Sequence, residues 1–394
     1  MIRKFGEIKE KYKNSVDFIL INEYPFSLYS GMIPGVISEQ YEINEAMLDN
    51  KKLIEFANGK LITGRAISID WKKKKILCED TTEESKFFKT KKFESLEEIK
   101  TFKVDFDILV IDVGSVARNA KIEGVNEYTI PTRPISKLVY RIEEFQRNIE
   151  DKDDLKVKIV GGGAAGIEIT CCLQQRFLKN YPKKNFNFEI LDKNSNFEKG
   201  LNSNSLSIKT SNHLKNQKIK ISFDVKISKI KQNTILLDDG KTIDFDLCIY
   251  AAGSQASPFL KESGMKIDQN GYLLVNDKLQ SISHSNVFAA GDCISFEGGP
   301  KIAKAGVYAV REGPFLTDNV ISYLDFTLKL TTKLNLKSYQ PQSNFLKILN
   351  FGDGSAISDY YGYTFEGWLI WNLKDSIDKK FMNSFPMCLV KNEI

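Results

Sequence analysis

The chain has 394 residues, 42% of them hydrophobic, and its 56 Lys and Arg residues nearly balance 51 Asp and Glu residues, which leaves a net charge of +5. This length predicts two or three globular domains, and the small, evenly spread charge excludes a nucleic-acid-binding surface. No run of about 20 apolar residues and no signal peptide occurs, so the sequence predicts no membrane-spanning segment.

Apolar residues recur at helical spacing between Ile2 and Tyr12, which predicts an amphipathic helix. The apolar run Val16–Ile21 then predicts a buried strand, and Asn22 and Glu23 follow at its end. A helix that leads into a strand with a polar or acidic end is typical of the later part of a mononucleotide-binding βαβ unit. The strand and glycine loop that open such a unit are absent.

The next 120 residues predict a turn-rich loop, a β-meander, a single strand, a linker and a helix. Their predicted bounds are 27–41 for the loop, 54–69 and 75–78 for the meander, 105–115 for a hydrophobic strand that ends at a crossover between domains, 130–135 for the proline-punctuated linker and 136–148 for the helix.

A glycine-rich segment, VKIVGGGAAGIE, occupies residues 157–168. The apolar run before it predicts a strand, and the residues from Ala164 onward predict a helix. In the G-x-G-x-x-G pattern, Gly161 allows the tight turn, Gly163 lets the backbone approach a pyrophosphate, and Gly166 lets the helix pack on the strand. The helix N-terminus would face the anion. The segment therefore predicts a dinucleotide site, and the alternative is a glycine-rich turn that binds nothing.

Residues 186–191 predict the second strand of the same domain, which ends at Asp192. A carboxylate there can accept a hydrogen bond from a ribose 2′-hydroxyl and repels a 2′-phosphate, which favours NAD over NADP. Lys193 weakens that preference, and a plain strand-end aspartate is the alternative. Further on, residues 212–230 predict a helix end and a strand, 232–246 predict a hairpin around Asp239-Gly240, and 247–253 predict a buried strand that opens onto Gly253.

A second segment with chemical content is NVFAAGD, residues 286–292. A strand that ends in Gly-Asp places the Asp292 carboxylate at the carboxyl edge of a parallel sheet, where ligands of open α/β folds bind. A helix is predicted for residues 303–320, and its N-terminal turn would point back towards that edge.

The six cysteines lie at positions 78, 171, 172, 248, 293 and 388. They contain neither the C-x-x-C pair of thioredoxin-type sites nor the spacing of zinc ligands. Cys171 and Cys172 are neighbours on a predicted helix and point about 100° apart, so they cannot readily bridge each other. We therefore expect buried structural thiols and predict no metal site.

The order of these segments resembles the pyridine nucleotide-disulfide oxidoreductase superfamily, and within it the type II NADH dehydrogenase-like flavoproteins. The resemblance is closest to the flavoprotein domain that is fused to some selenide, water dikinases, and it covers nearly the whole chain. The motifs that carry it are SGMIPG at 30–35, DVGS at 112–115, RPI at 133–135, GGGAAGIE at 161–168, VFAAGD at 287–292, KAGVYAVREGP at 304–314 and GWLIWNLKDSIDKKFM at 367–382. SGMIPG and KAGVYAVR together are fairly specific, whereas the wider superfamily shares the nucleotide loops.

The resemblance implies an α/β fold with two Rossmann-like three-layer (ββα/βα) dinucleotide-binding domains and a small C-terminal α+β region. The implied domains are an FAD-binding domain split between residues 1–115 and 245–325, an NAD(P)-binding domain at 116–244 and a C-terminal interface region at 326–394.

The resemblance also implies roles for single residues. Asp292 would hydrogen-bond the ribityl chain of FAD, and the helix after it would lie beside the flavin. Glu168 would lie near flavin and nicotinamide as a catalytic proton relay; the alternative is a glutamate that the helix dipole alone favours. The candidate cofactor-binding residues are Gly161, Gly163, Ala164, Gly166, Asp192, Gly253, Gly291, Asp292, Lys304 and Ala305.

The implied activity is hydride transfer from NAD(P)H, with NADH preferred, to the N5 atom of FAD and then electron delivery to a second acceptor. Because no redox-active cysteine pair accompanies the resemblance, a quinone or another small acceptor is favoured over a disulfide. The missing first strand and glycine loop leave two readings open. Either the chain is an incomplete version of a longer protein, or it no longer holds FAD tightly and is a non-catalytic nucleotide-binding or scaffold protein.

The C-terminal segment 368–385 carries an apolar, partly helical pattern rich in aromatic residues. Such a stripe is more often core or the surface of a homodimer than a membrane contact. Lys374, Lys379 and Lys380 would suit an anionic lipid surface only if the stripe were exposed. A cytoplasmic location is the default prediction, with a mitochondrial or peripheral membrane location left open.

Overall fold

The computed structural model describes residues 1–82, 100–117, 122–133, 135–149 and 152–385. Its α-helices in chain order are α1 (Ile2–Glu7), α2 (Ile33–Ile37), α3 (Asn50–Phe56), α4 (Val125–Tyr128), α5 (Ile135–Arg147), α6 (Ala164–Asn180), α7 (Glu198–Leu201), α8 (Asn204–Asn216), α9 (Pro258–Glu262), α10 (Gly306–Thr327) and α11 (Trp368–Asn383). Short 3-10 turns lie at Lys9–Tyr12, Ile43–Ala46 and Gly291–Cys293.

The first part of the chain builds several small sheets. Their strands are β1 (Ile19–Asn22), β2 (Phe26–Leu28), β3 (Met47–Asp49), β4 (Lys60–Asp70), β5 (Lys75–Asp80), β6 (Thr101–Asp105), β7 (Leu109–Ile111) and β8 (Ser115–Ala117). In the first sheet β1 runs parallel to β4, and β4, β5 and β6 form the predicted antiparallel meander. The short strand β2 pairs antiparallel with β3.

The glycine-rich segment lies in a five-stranded sheet, all of whose pairs are parallel. Its strands, in spatial order, are β12 (Lys220–Ser222), β11 (Asn185–Leu191), β10 (Asp154–Val160), β16 (Leu247–Tyr250) and β9 (Ile130–Pro131). The antiparallel strands β13 (Ile227–Lys231), β14 (Thr234–Leu237) and β15 (Thr242–Asp244) pack beside it and contain the predicted Asp239-Gly240 hairpin. The mixed α/β fold with parallel sheets is thus confirmed.

After the parallel sheet, the chain packs again on the strands of its N-terminal part. The strands of this section are β17 (Ser254–Ala256), β18 (Leu273–Val275), β19 (Val287–Ala289) and β20 (Ile294–Phe296). β17 pairs antiparallel with β8, β18 pairs parallel with β20, and β19 pairs parallel with β7. A hydrophobic core that includes Phe5, Ile111, Phe288 and Leu316 joins α1, β7, β19 and α10. Segments far apart in sequence therefore form one structural half, while the exact domain bounds stay a prediction.

The C-terminal region consists of an antiparallel sheet and a helix. The strands are β21 (Lys347–Asn350), β22 (Ala356–Tyr360) and β23 (Tyr363–Gly367), and α11 begins directly after β23. Leu349, Phe351, Ile357 and Met382 join the main core together with α6 residues. This region therefore covers the N-terminal part of α6, which follows the glycine loop.

Several predicted bounds were wrong in part. The single strand predicted at 105–115 is divided between β7 and the start of β8. The loop at 27–41 contains α2, because Pro34 is well tolerated in the first turn of a helix. Residues 54–56 end α3 rather than begin a strand, because the Asp49 carboxylate caps that helix through the Lys52 N–H. The linker at 130–135 supplies the edge strand β9, since the chain before α5 pairs with β16. The helix predicted at 303–320 begins at Gly306 and continues to Thr327 through Pro314.

Candidate functional site

The glycine loop between β10 and α6 has the geometry that its sequence predicts. Gly161 has φ +112°, a conformation that L side chains rarely adopt. A Cβ atom on Gly166 would lie 2.0 Å from the Gly161 carbonyl oxygen, so only glycine permits this contact between helix and turn. A Cβ atom on Gly163 would meet no protein atom within 4 Å. Gly161 and Gly166 therefore fix the conformation of the loop, whereas the space beside Gly163 is not filled by atoms of the described residues.

The open side of the loop faces the N-terminus of α6. Gly163 is the N-cap residue and no side chain caps the helix, so the first N–H groups are free to face a ligand. Ala164, the first helical residue, is exposed. Gly253, at φ +76°, lies on the neighbouring segment after β16, and Ala251 of that segment lies against Gly161. The structure thus brings these candidate residues to one edge of the parallel sheet.

The Asp192 side chain holds the glycine loop by a hydrogen bond to its backbone. It is buried, and its Oδ2 accepts a hydrogen bond from Gly162 N at 2.6 Å while Oδ1 accepts one from Asn194 N at 2.8 Å. Gly162 was not among the predicted site residues, yet a Cβ atom there would lie 2.4 Å from Asp192 Oδ2. The run of three glycines was the available signal. A ribose contact of Asp192 stays a prediction.

Glu168 lies in the second turn of α6, where the C-terminal region packs. Its Oε1 accepts a hydrogen bond from Asn350 N of β21 at 2.9 Å. Burial of the carboxyl raises its pKa to about 7, although the Lys374 ammonium and the Asn350 N–H act in the opposite direction. A group with this pKa exchanges a proton near neutral pH, which is the property that a proton relay needs.

Lys374 and Asp378 of α11 form a buried ion pair beside Glu168. Lys374 Nζ lies 2.5 Å from Asp378 Oδ2 and donates a second hydrogen bond to the Gly31 carbonyl oxygen at 2.7 Å. The loop that carries Gly31 also reaches α10, because Ser30 Oγ lies 3.7 Å from the position of a Cβ atom on Gly306. These contacts bring the helix α6, the SGMIPG loop and the start of α10 close to one another.

The Gly291-Asp292 turn follows β19. Gly291 has φ +79° and donates its N–H to Glu312 Oε2 of α10 at 2.6 Å. The Asp292 carboxylate lies 2.9 Å from Arg133 Nη1 and accepts a hydrogen bond from Ser115 Oγ at 3.1 Å. Arg133 and Glu312 belong to quoted motifs, but no role could be assigned to them from the sequence.

Lys304 and Ala305 precede α10. Lys304 Nζ lies 4.0 Å from the centre of the Tyr272 ring and donates to the Ile294 carbonyl oxygen. Burial lowers the pKa of Lys304, although the Asp292 carboxylate partly opposes this effect. Ala305 is the N-cap of α10 and offers no side-chain cap. Lys304 therefore lies within electrostatic reach of Asp292, while a cofactor-binding role for Lys304 and Ala305 stays a prediction.

The cysteines of the described residues are buried and free. They are Cys78, Cys171, Cys172, Cys248 and Cys293. Burial raises the pKa of Cys248 to about 12, which leaves its thiol protonated and unreactive at neutral pH. The prediction of buried structural thiols is confirmed for these five, whereas Cys388 lies outside the described residues, as does Pro134 of the RPI motif. No group of three His, Cys, Asp or Glu side chains within the described ranges could hold a metal ion.

The C-terminal aromatic stripe is divided between core and surface. Trp371 and Phe381 pack against the main core, whereas Trp368 and Leu369 are 64% and 63% exposed. Of the three lysines considered for a lipid surface, Lys374 is buried, so that part of the hypothesis was wrong. Within the part of the chain that the structure describes, no helix is long and apolar enough to cross a membrane.

Comparison with known proteins gives related oxidoreductases. A type II NADH:quinone oxidoreductase of Haemophilus influenzae is 26% identical over 291 residues, which is 66% of this chain and 64% of that protein. A probable NADH dehydrogenase of Dictyostelium discoideum is 28% identical over 222 residues, 50% of this chain and 48% of that protein. The chain thus matches between about half and two thirds of the length of these curated relatives.

The same fold occurs in a solved structure of NDH2 from Plasmodium falciparum in complex with NADH. It superposes with a TM-score of 0.72 at 16% identity and covers 99% of this chain and 98% of that one. The family model described as pyridine nucleotide-disulphide oxidoreductase matches residues 9–313. The chain therefore belongs to the pyridine nucleotide-disulphide oxidoreductase family.

Proposed function

We propose that this protein is an FAD-dependent oxidoreductase that passes electrons from NADH to a quinone or another small acceptor. The observation that carries the proposal is the contact from Lys374 to Gly31, which joins the surroundings of Glu168 to the loop beside α10. Residues 116–244 would bind NADH, residues 1–115 with 245–325 would bind FAD, and residues 326–394 would cover the junction.

The residues of the glycine loop fit an NADH pyrophosphate. The space beside Gly163 is the cradle that a Cβ atom would fill, and the uncapped α6 N-terminus supplies N–H donors. Asp192 adds a negative charge next to the loop, which disfavours the 2′-phosphate of NADPH. These features favour NADH as the bound nucleotide.

The residues around the Asp292 turn fit the ribityl side of FAD. The Asp292 carboxylate can accept hydrogen bonds from ribityl hydroxyls. FAD supplies, when bound, the chemistry that accepts a hydride and releases electrons to a second acceptor. The chain's own contribution is to orient the two ligands and to exclude water between its halves.

Glu168 would hold and release the proton that accompanies electron transfer. Its Oε1 is fixed by Asn350 N, so Oε2 remains the oxygen that can carry a proton. Lys374 would keep the carboxyl in partial ionisation, since the ammonium offsets part of the cost of burial.

A quinone-like acceptor fits the chain better than a disulfide substrate. The five described cysteines are buried, and none has a disulfide partner, so none can attack a disulfide from solvent. The Haemophilus relative is an NADH:quinone oxidoreductase by name. The exposed side chains of Trp368 and Leu369 would suit contact with the membrane that contains such an acceptor; a homodimer surface is the alternative use.

The absorbance spectrum of the purified full chain tests the proposal. We expect a yellow protein whose flavin band is bleached by NADH under nitrogen and restored by a soluble quinone. A colourless protein that still binds NADH and gains no flavin when FAD is added would overturn it in favour of the nucleotide-binding scaffold. The Gly166→Ala variant is the matched control, because it should lose bleaching through loss of the NADH loop.

A further inference from the structure

Glu312 of α10 is fully buried, and only one of its two carboxyl oxygens has a hydrogen-bond partner in the described part of the chain. Its exposed fraction is 0%. Oε2 accepts the Gly291 N–H at 2.6 Å, whereas Oε1 has no hydrogen-bond partner among the described residues. A buried carboxylate with one bare oxygen is costly, and a proton on that oxygen removes the charge.

The hydrogen-bond partner of Glu312 is Gly291, the residue directly before Asp292. Gly291 has φ +79°, and a Cβ atom there would lie 2.7 Å from Asp112 Oδ1. The turn is therefore confined by Asp112 on one side and held through its N–H by Glu312 on the other. The direction of the Asp292 side chain depends on this backbone.

The charges around Glu312 are mostly negative. Asp112 lies after β7 and Asp292 after β19, and both raise the pKa of Glu312, whereas Lys304 from the segment before α10 lowers it. Burial is the largest influence, and the pKa reaches about 7. The other titratable groups that interact with Glu312 are Tyr308 of α10, Tyr339 and Cys293.

We propose that Glu312 is a positioning residue for Asp292: it holds the Gly291 N–H with one oxygen and a proton with the other, so that it adds no negative charge beside the turn that carries Asp292. Loss of the proton places a third negative charge next to Asp112 and Asp292. Both carboxylates are then repelled, and the turn loosens. The statement about the turn stands on this chain alone, while its effect on FAD rests on the proposed function.

The amide of Gly291 provides a test that needs no flavin. The sequence contains four Ala-Gly pairs, ending at Gly166, Gly253, Gly291 and Gly306. Protein labelled with ¹³C-carbonyl alanine and ¹⁵N-glycine therefore gives four selected amide signals. We expect one of them to titrate with a midpoint near pH 7, and this step to be lost in Glu312→Gln, which keeps the acceptor and cannot ionise. Burial raises the pKa of the neighbouring Asp112 carboxyl to about 6, so a step that remains in the variant near pH 6 belongs to Asp112.

Asp318→Asn is the matched control on the same helix, because Asp318 is exposed and pairs with Lys337. This variant should retain the titration. If the Gly291 signal does not titrate between pH 5.5 and 8.5, or titrates equally in Glu312→Gln, the proposal is overturned. Thermal unfolding gives a second measure: the wild type should lose stability relative to Glu312→Gln as pH rises towards 7, because the folded chain binds the proton more tightly than the unfolded chain.

Flavin binding separates this inference from the proposed function. We expect the affinity of the wild type for FAD to fall severalfold between pH 6 and 8.5 and that of Glu312→Gln to stay constant. If neither protein binds FAD, the proposed function fails, and the amide titration alone decides the role of Glu312.

Discussion

Lys374 and Asp378 form an ion pair one helical turn apart, with both side chains buried on the inner face of α11. The apolar residues Leu369, Leu373 and Ile377 of the same helix are exposed. At these positions the usual order of an amphipathic helix is reversed, whereas Trp371 and Phe381 of the same helix pack against the core in the usual way. The pair lies next to Glu168, and its two charges act on that carboxyl with opposite signs.

Substitution of each member should move the pKa of Glu168 in opposite directions. Lys374→Met removes the cation that lowers this pKa, so the midpoint should rise above 7; Asp378→Asn removes an anion that raises it, so the midpoint should fall. The carbonyl stretch of the protonated carboxyl, measured by infrared titration against Glu168→Gln, reports the midpoint.

The Asp375–Lys379 pair provides the control for this experiment. It has the same spacing on the same helix, but Lys379 is exposed and Asp375 is only partly buried, so Lys379→Met should leave the midpoint unchanged. Equal shifts in Lys374→Met and Lys379→Met would show that the effect is not local. Lys374→Met should also lower the free energy of unfolding by about 3 kcal/mol, because it leaves Asp378 buried without its partner.

The strand, turn and helix of the glycine loop could be predicted from the sequence because the three glycines that shape the turn, Gly161, Gly163 and Gly166, lie within six residues. Strand, turn and helix follow one another, and Gly161 and Gly166 contact each other directly. The Gly-Asp pair at 291–292 likewise follows its strand directly in sequence, although the residues that hold the turn come from distant segments. Hydrophobic periodicity and turn residues are therefore sufficient to locate both candidate sites in the chain.

The supporting residues could not be predicted in this way, because they come from distant segments. Lys374 and Gly31 are separated by 343 positions, and Asn350 and Glu168 by 182. Lysine is usually a surface residue, so the sequence predicts exposure for Lys374. A lysine is buried only where the fold supplies a partner for its charge, and that partner cannot be identified from the lysine itself. Only the i, i+4 spacing of Lys374 and Asp378 was a local signal.

Two alanine substitutions in the glycine loop should separate folding from binding. Gly163→Ala meets no protein atom within 4 Å, so stability should be unchanged while a methyl group fills the space for the pyrophosphate. NADH affinity should fall about tenfold, which corresponds to about 1.4 kcal/mol. Gly166→Ala places a Cβ atom 2.0 Å from the Gly161 carbonyl oxygen and should lower the melting temperature as well.

Gly313→Ala is the control for this pair. A Cβ atom on Gly313 of α10 meets nothing within 4 Å, and alanine favours a helix, so both stability and NADH affinity should be retained or improved. Calorimetric titration with NADH and thermal unfolding measure the two properties. An unchanged NADH affinity in Gly163→Ala would contradict the pyrophosphate position.

Asp192→Asn tests whether the carboxylate selects NADH or only supports the loop. The amide keeps an oxygen for the Gly162 N–H but removes the charge that repels a 2′-phosphate. We expect NADPH affinity to rise about tenfold and NADH affinity to change little. An equal loss of affinity for both nucleotides would restrict Asp192 to its structural role.

The exposed apolar face of α11 should bind a lipid surface. Trp368 and Leu369 of α11 are 64% and 63% exposed, and Tyr363 of the preceding strand β23 is 74% exposed. Aromatic side chains of this kind favour the interface between lipid and water. Liposome flotation with vesicles of phosphatidylcholine and phosphatidylglycerol should recover the wild-type protein in the lipid fraction.

The double variant Trp368→Glu and Leu369→Glu should remain in the aqueous fraction, because charged groups are disfavoured at the acyl boundary. Leu178→Glu is the matched control, since Leu178 is an exposed leucine on the different helix α6. If the wild type does not float but sediments as a dimer, and the double variant sediments as a monomer, the face joins two copies of the chain instead of contacting a membrane.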